Sequence, residues 1–282
     1  MLKFQLLGHF QVVTETGEIC RVGSPKVTQT LAVLLSRANE FVSSEMLITE
    51  LWGDSPPRSA LNTIQTYIHH ARRFLAAADT GAPAAVPPVL STRSAGYLLR
   101  VADEDVDYKL FELHVSRGAS ALRNAQYEAA CDHLRQAMSL WRGSVLSNIA
   151  TGPLLKSHIT HLEDCRVQAL EMRIEARCAL GLHRDSIPEL RTLVHDYPLH
   201  EGFHSQLINA LHHTGRRAEA LEAYQAVRGL LRDELGLEPS ALVQRAHERV
   251  LSSDGGADWA EACAPRVPDT GGKWPTSTKN RT

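Results

Sequence analysis

Apolar and polar positions alternate at the start of the chain, Leu2, Phe4 and Leu6 against Lys3 and Gln5, with the period of a half-buried strand. Residues 10–13 and 19–22 read as two more strands separated by the turn signal Thr16-Gly17, so an antiparallel sheet is expected to open the molecule. The period then lengthens. Val27, Leu31, Leu34, Leu35 and Ala38 recur at helical steps, with Ser24 or Pro25 at the helix start. A second helix carries Leu47, Ile48, Leu51 and Trp52. Ser43 is placed to cap it, Glu45 lies where the helix dipole favours an anion, and Gly53 ends it. After Asp54-Ser55-Pro56-Pro57 a third helix is predicted to about Ala77, with Pro57 in its first turn. Its apolar stripe is Leu61, Ile64, Ile68, Ala71 and Leu75. Residues 79–88, rich in Ala, Pro and Gly, read as a loop, and residues 89–92 and 96–100 as two short strands about Arg93-Ser94-Ala95. Three helices ending in a β-hairpin are the order of a winged helix.

From Asp107 onward every signal is helical. The stretch beginning at Gly181 resembles the one beginning at Gly215, and 34 residues separate the two glycines, the tetratricopeptide period. A third, out-of-phase copy begins near Arg123-Asn124, where Asn124 is expected to end a helix as the glycines do. Two copies barely establish a period, so a generic helical bundle stands beside the tetratricopeptide-like stack. Apolar periodicity fades after about Ser252, where Gly255-Gly256, Gly271-Gly272, Pro265, Pro268 and Pro275 sit among Ser, Thr and Asp. The expected fold is mostly α. A winged helix-turn-helix with a small antiparallel sheet and a β-hairpin wing spans residues 1–104. An all-α tetratricopeptide-like domain spans 105–252, and a disordered tail 253–282. Residues 1–104, holding a complete sheet, three helices and a wing, are expected to fold alone.

The third helix holds the sharpest candidate chemistry. Opposite its apolar stripe project Asn62, Gln65, Thr66, His69, Arg72 and Arg73. The major groove admits such a helix, where Asn and Gln can bond adenine through two hydrogen bonds and Arg can do the same with guanine. Thr66 suits a thymine methyl or a phosphate, and Tyr67 and His70 lie where they could reach phosphates. Any amphipathic surface helix has a polar face, but this one carries no carboxylate, which a phosphate would repel. Arg93, at the hairpin tip, is a candidate for the adjacent minor groove. Lys26, at the start of the first helix, is a candidate phosphate contact.

Charge narrows the reading. The 282-residue chain has a formal net charge of −2, which excludes a basic nucleic-acid coat. From Arg58 to Arg100, however, Arg58, Arg72, Arg73, Arg93 and Arg100 face only Asp79, and Asp103, Glu104, Asp105 and Asp107 follow. A locally basic element on a near-neutral chain fits a specific DNA reader. A hydrophobic fraction of 43% supplies core for two domains. No apolar run approaches the ~20 residues of a membrane span, and the N-terminus lacks a signal peptide's apolar region, so no membrane partner and a cytoplasmic, nucleoid-associated location are expected. Cys20, Cys131, Cys165, Cys178 and Cys263 include no C-x-x-C pair and read as reduced thiols. His158/His161 and His200/His204 have one-turn spacing without a third ligand, so no metal is expected, and no cofactor either. No phosphate loop, G-x-S-x-G or H-E-x-x-H occurs, and no enzyme is expected. Because residue 1 already opens the sheet, control by an acceptor aspartate is not expected.

Many collinear motifs then resemble the Streptomyces antibiotic regulatory protein family. They are Leu51-Trp52-Gly53 before a proline-containing loop, Asn62-Thr63-Ile64-Gln65-Thr66-Tyr67-Ile68, Gly96-Tyr97-Leu98-Leu99, Val106-Asp107-Tyr108-Lys109-Leu110-Phe111 and Leu140-Trp141-Arg142-Gly143. Tyr197-Pro198-Leu199-His200-Glu201, residues 210–221 and Glu234-Leu235-Gly236-Leu237-Glu238-Pro239 complete the set, which spans residue 1 to about 251. The resemblance implies an OmpR-type winged helix joined to a bacterial transcriptional activation domain. It implies an activator of a secondary-metabolite (antibiotic) gene cluster that binds direct repeats near the −35 element of promoter DNA as a head-to-tail homodimer. It further implies contact with RNA polymerase through the sigma subunit and through the C-terminal domain of the alpha subunit. The loop Gly53, Asp54, Ser55, Pro56 and Pro57 is, on the same resemblance, a candidate polymerase contact. Ala71 stands where a leucine is usual and His69-His70 replace a polar-basic pair, so the packing beneath the helix and its base preference are expected to be atypical. The competing class is a tetratricopeptide adaptor that binds proteins and not promoters, and salt-dependent DNA affinity separates the two.

Overall fold

The structure, a computed structural model, describes residues 2–78 and 88–252. The expected tail lies outside these residues, as does nearly all of the 79–88 loop. Strands β1 (Leu2–Gln5), β2 (Gln11–Thr14) and β3 (Ile19–Cys20) form an antiparallel sheet in that order, with Leu2 opposite Thr14 and Val12 opposite Cys20. Helix α1 (Pro25–Ser36) is followed by β4 (Phe41–Ser43), α2 (Ser44–Trp52), α3 (Ala60–Ala78), β5 (Val89–Arg93) and β6 (Gly96–Arg100). β4, β6 and β5 form a second antiparallel sheet. Seven α-helices complete the described chain: α4 (Asp107–Arg123), α5 (Tyr127–Ser139), α6 (Pro153–Ala179), α7 (His183–Asp196), α8 (Glu201–His213), α9 (Arg217–Leu235) and α10 (Ala241–Ser252). None of the helices is long and apolar enough to cross a membrane.

Several local expectations are corrected. β1 stops at Gln5 because Leu6 and Leu7 turn their amides to the Asp107 carboxylate at 2.8–3.0 Å. β2 starts at Gln11 because the Phe10 amide goes to Asn148 Oδ1 at 2.7 Å. β3 ends at Cys20, short of Val22. α3 starts at Ala60, not in the first turn from Pro57, whose carbonyl accepts the Ala60 N–H at 2.9 Å. The stripe shifts accordingly: Ala60 is buried and Leu61 is 57% exposed, while Ile64, Ile68, Ala71 and Leu75 are buried as expected. α1 is buried on nearly every side, because α2, α3, β6 and α6 all pack on it. Strand β4 is not among the expected elements.

The helical half is built of antiparallel neighbours, α4 on α5, α5 on α6, α7 on α8 and α8 on α9, with α10 closing on α8 and α9. Gly181 and Gly215 end their helices in the left-handed region, at φ of +77° and +74°. In each case the next amide, of Leu182 or Arg216, reaches back to Arg177 O or Leu211 O at 3.0 and 2.9 Å. The third copy makes the same turn, with the Gln126 amide on Ala121 O at 2.9 Å, but its left-handed residue is Ala125 (φ +55°) and not Asn124.

Among the described residues two large apolar cores result, with a small cluster of Ala121, Ala130 and Ala176 beside them. The first runs from Leu2 through the winged helix and on to Val106, Phe111, Leu134, Leu146, Leu162 and Ala169. The second begins at Leu170 and holds the remainder of α6 with α7–α10. The division therefore falls inside α6, a helix of 27 residues. Polar ties cross the first core. Lys3 pairs with Asp105 at 2.8 Å, and Arg142 with Asp107 at 2.5 Å. Burial pushes the Asp107 carboxyl above its ordinary value, against the opposing pull of the hydrogen bonds from Leu6, Arg142 and Leu7. Tyr108 donates its hydroxyl to Leu35 O at 3.1 Å. The buried Glu50 carboxylate of α2 accepts from Gly152 N at 2.6 Å and Leu154 N at 2.7 Å, capping the start of α6.

Candidate nucleic-acid interface

The helix-turn-helix is fastened from beneath. Ser43 Oγ accepts from Met46 N at 3.1 Å, the expected cap of α2, and Gly53 ends that helix at φ +61°. The carbonyls at its end are met by α1: Gln29 Nε2 donates to Glu50 O at 3.2 Å, and Lys26 Nζ to Leu51 O at 2.6 Å. Lys26 also lies 6.0 Å over the Trp52 ring. Its ammonium, proposed from sequence for a phosphate, is thus committed to the α1–α2 corner, where a cation suits the negative end of α2. Trp52 stacks on Tyr67 of α3 at 6.4 Å and 21°. Tyr67 is half-buried and holds α2 to α3.

The polar face of α3 stands clear. Asn62, Gln65, Thr66, His69, His70 and Arg73 are all exposed, and Asp and Glu are absent from the helix. Asn62, Thr66, His69 and Arg73 follow at steps of four, three and four residues and form one line along the helix. Arg72 points to the flank, where its Nε donates to Leu90 O at 2.9 Å and its terminal nitrogen to Thr92 Oγ1 at 2.7 Å. The arginine expected to read a base instead fixes the wing to the helix.

The wing is a tight hairpin. Arg93 faces Gly96 across the two-residue turn Ser94-Ala95, and Arg93 is exposed at the tip, as expected. β6 also pairs with β4, and a Cβ on Gly96 would lie 2.1 Å from Val42 O, so this register needs a glycine. The loop Gly53, Asp54, Ser55, Pro56 and Pro57 is fully exposed beside α3. Gln29 and Glu50, which tie the frame together, were missed by sequence reasoning. Their partners are backbone groups of distant elements, which leave no periodic signal.

Among the described residues, no group of three or more His, Cys, Asp or Glu could hold a metal ion. His161 lies against Cys165 and Glu112, and His200 against Glu171, without a further ligand.

Comparison with known proteins agrees with this architecture. Residues 22–99 match the family described as "Transcriptional regulatory protein, C terminal", and residues 106–251 the "Bacterial transcriptional activator domain". The chain is 38% identical over 245 residues to the regulatory protein DnrI of Streptomyces peucetius, covering 86% of this chain and 89% of DnrI. It is 34% identical over 270 residues to the transcriptional regulator RedD of Streptomyces coelicolor, covering 94% and 76%. The fold is similar to that of Mycobacterium tuberculosis EmbR, solved in complex with a low affinity phosphopeptide, with a TM-score of 0.82 and 32% identity. That match covers 89% of this chain and 65% of the EmbR chain. The chain follows DnrI nearly from end to end, and a carboxylate-free helix packs on α1 and α2 beside a wing, so that sequence and geometry agree: the protein is a transcriptional regulator and belongs to the Streptomyces antibiotic regulatory protein family.

Proposed function

We propose that the protein activates transcription of a secondary-metabolite (antibiotic) gene cluster by binding direct repeats near the −35 element of its promoter. α3 enters the major groove and presents Asn62, Gln65, Thr66 and His69 to base edges, while Arg93 of the wing meets the adjacent minor groove. The observation that carries this reading is the exposed line of Asn62, Thr66, His69 and Arg73 on a helix free of carboxylates. Direct repeats call for head-to-tail protomers, and sites about one helical turn apart place both on one face of the duplex. Residues 1–104 supply the DNA contact, and residues 105–252 set the neighbouring protomer beside RNA polymerase. The exposed 53–57 loop faces the sigma subunit of the polymerase, and the C-terminal domain of its alpha subunit is a further partner. These partners, and a cytoplasmic, nucleoid-associated location, come from the family alone.

Selection of bound duplexes from a random library by the full chain tests the reading. A repeated half-site, bound with an affinity that falls steeply with salt, is the expected result. Recovery of no common sequence would favour the adaptor class.

A further inference from the structure

The β3–α1 loop and the outer flank of α3 enclose an open cleft of about 460 Å³. Arg21, Val22, Ser24, His70, Arg73 and Phe74 are among its walls, and no carboxylate lines it. Arg21 and Arg73 are exposed, and neither has a hydrogen bond or ion pair among the described residues. Arg37, Arg135 and Arg228, by contrast, pair with Glu40, Asp132 and Glu238. Two unpaired guanidiniums on one carboxylate-free cleft repel each other weakly in water and together attract an anion. Val22 and Phe74 supply an apolar wall beside the two arginines, along which long stems can lie with their charged heads in water.

We propose that Arg21 and Arg73, with His70 at the rim, clamp a single phosphate of the DNA backbone. The proposal rests on the reading of α3 as the groove-entering helix. Arg73 lies at the end of the exposed line that begins at Asn62, so with that line against the bases the cleft opens onto the strand bordering the groove. A guanidinium pair is suited to a phosphate, whose oxygens accept several N–H bonds at once. On the opposite flank Arg72 holds the wing. The helix is thus seated between two backbone anchors, and the adjacent arginines divide into one that braces the protein and one that grips DNA. Phosphate contacts of this kind fix register and carry no sequence information.

The test uses the full chain and the duplex that it selects from a random library. Arg21→Gln, Arg73→Gln and the double variant are compared by affinity across a salt series, with melting temperature as a check on folding. One clamped phosphate gives a double variant whose salt slope falls by about 1, with affinity down about tenfold near 0.1 M salt and base preference unaltered. Ethylation of one phosphate then weakens the unmodified chain and not the double variant, and Arg21→Lys retains most of the slope. A slope lower by about 2 would mean two separate phosphates and overturn the clamp, as would an unchanged slope. A loss confined to one base position in Arg73→Gln would make Arg73 a base reader and overturn it as well. Titration with inorganic phosphate separates the sources: tight phosphate binding with an unchanged DNA slope would make the cleft a free-anion site. In all these cases the DNA reading survives. It fails only if the unmodified chain shows no salt-dependent DNA binding, and the clamp then fails with it.

Discussion

Lys26, at the opening of α1, has the position of a phosphate contact and the environment of a helix cap. With its ammonium on Leu51 O and Gln29 Oε1, Lys26→Ala is expected to lower stability by about 1 kcal/mol and leave the salt slope of DNA binding unchanged. Thermal melting and a salt titration on one variant check both halves of that statement. Ala125 offers the opposite kind of test. It adopts φ +55° at a turn where Gly181 and Gly215 stand in the sister turns. A left-handed alanine is strained, and glycine offsets that strain at some gain of freedom in the unfolded chain. Ala125→Gly is therefore expected to raise stability by about 0.5–1 kcal/mol, seen as a higher melting temperature. At this scale the sequence showed the outward polar line of α3, Asn62, Gln65, Thr66, His69 and Arg73, because period decides it, but it put Leu61 in the buried stripe where Ala60 sits. It did not show that Arg72 and Lys26 are engaged within the protein, because backbone carbonyls eighteen and twenty-five residues away receive them.

Among the elements, the junction of α2 and α6 holds the winged helix to the rest. Glu50 is 3% exposed, and both of its oxygens accept backbone N–H groups at the start of α6. Glu50→Ala leaves those donors buried without partners and removes a favourable charge at the positive helix end. It is expected to lower stability by about 3 kcal/mol, whereas Glu50→Gln retains one acceptor oxygen and loses about half as much. Chemical denaturation of the two variants gives the comparison. The long helices and the hairpin were legible from apolar period and turn residues. β4 was not, since three residues are too short to show alternation and its place is set by pairing with β6 more than fifty residues later. The start of α3 was misplaced for a related reason: Pro57 is compatible with a first turn, but the burial of Ala60 decides where the helix begins.

Across the whole molecule, the first core joins what the sequence divides at residue 104. Phe4, Leu6 and Leu7 share it with Val106, Phe111 and Leu146. The expectation that residues 1–104 fold alone changes accordingly. That fragment exposes this surface and leaves the Leu6, Leu7 and Phe10 amides unmet, so its cooperative unfolding is expected to be weak or absent beside that of residues 1–252. Calorimetry of both fragments decides it. The same seam carries a pH dependence. His158 of α6 lies edge-on to Tyr108 at 4.7 Å, its Nε2 buried without a partner, with His161, Arg37, Lys109 and Glu40 around it. Burial first, then His161, Arg37 and Lys109, lower its pKa from 6.5 to about 4. The unfolded chain then takes up a proton that the folded chain refuses, so this contribution is complete above pH 6.5 and is lost as pH falls towards 4. It amounts to at most about 3 kcal/mol. His114, His183, His204 and His213, also lowered by burial, act in the same direction. Melting temperature is expected to fall between about pH 7 and pH 5, and His158→Phe, which retains the ring contact, is expected to flatten that fall.

The same seam sets an order on synthesis. Leu6 and Phe10 leave a ribosome well before the side chains that receive their amides, Asp107 and Asn148, which follow 101 and 138 residues later. At ordinary elongation rates that delay is on the order of ten seconds, during which the nascent N-terminal segment is a client for chaperones and not a finished fold. A transcript broken before codon 107 yields a polypeptide that cannot close its first core. Such a product is expected to be a protease substrate, which pulse-chase labelling of a chain truncated before residue 107 checks.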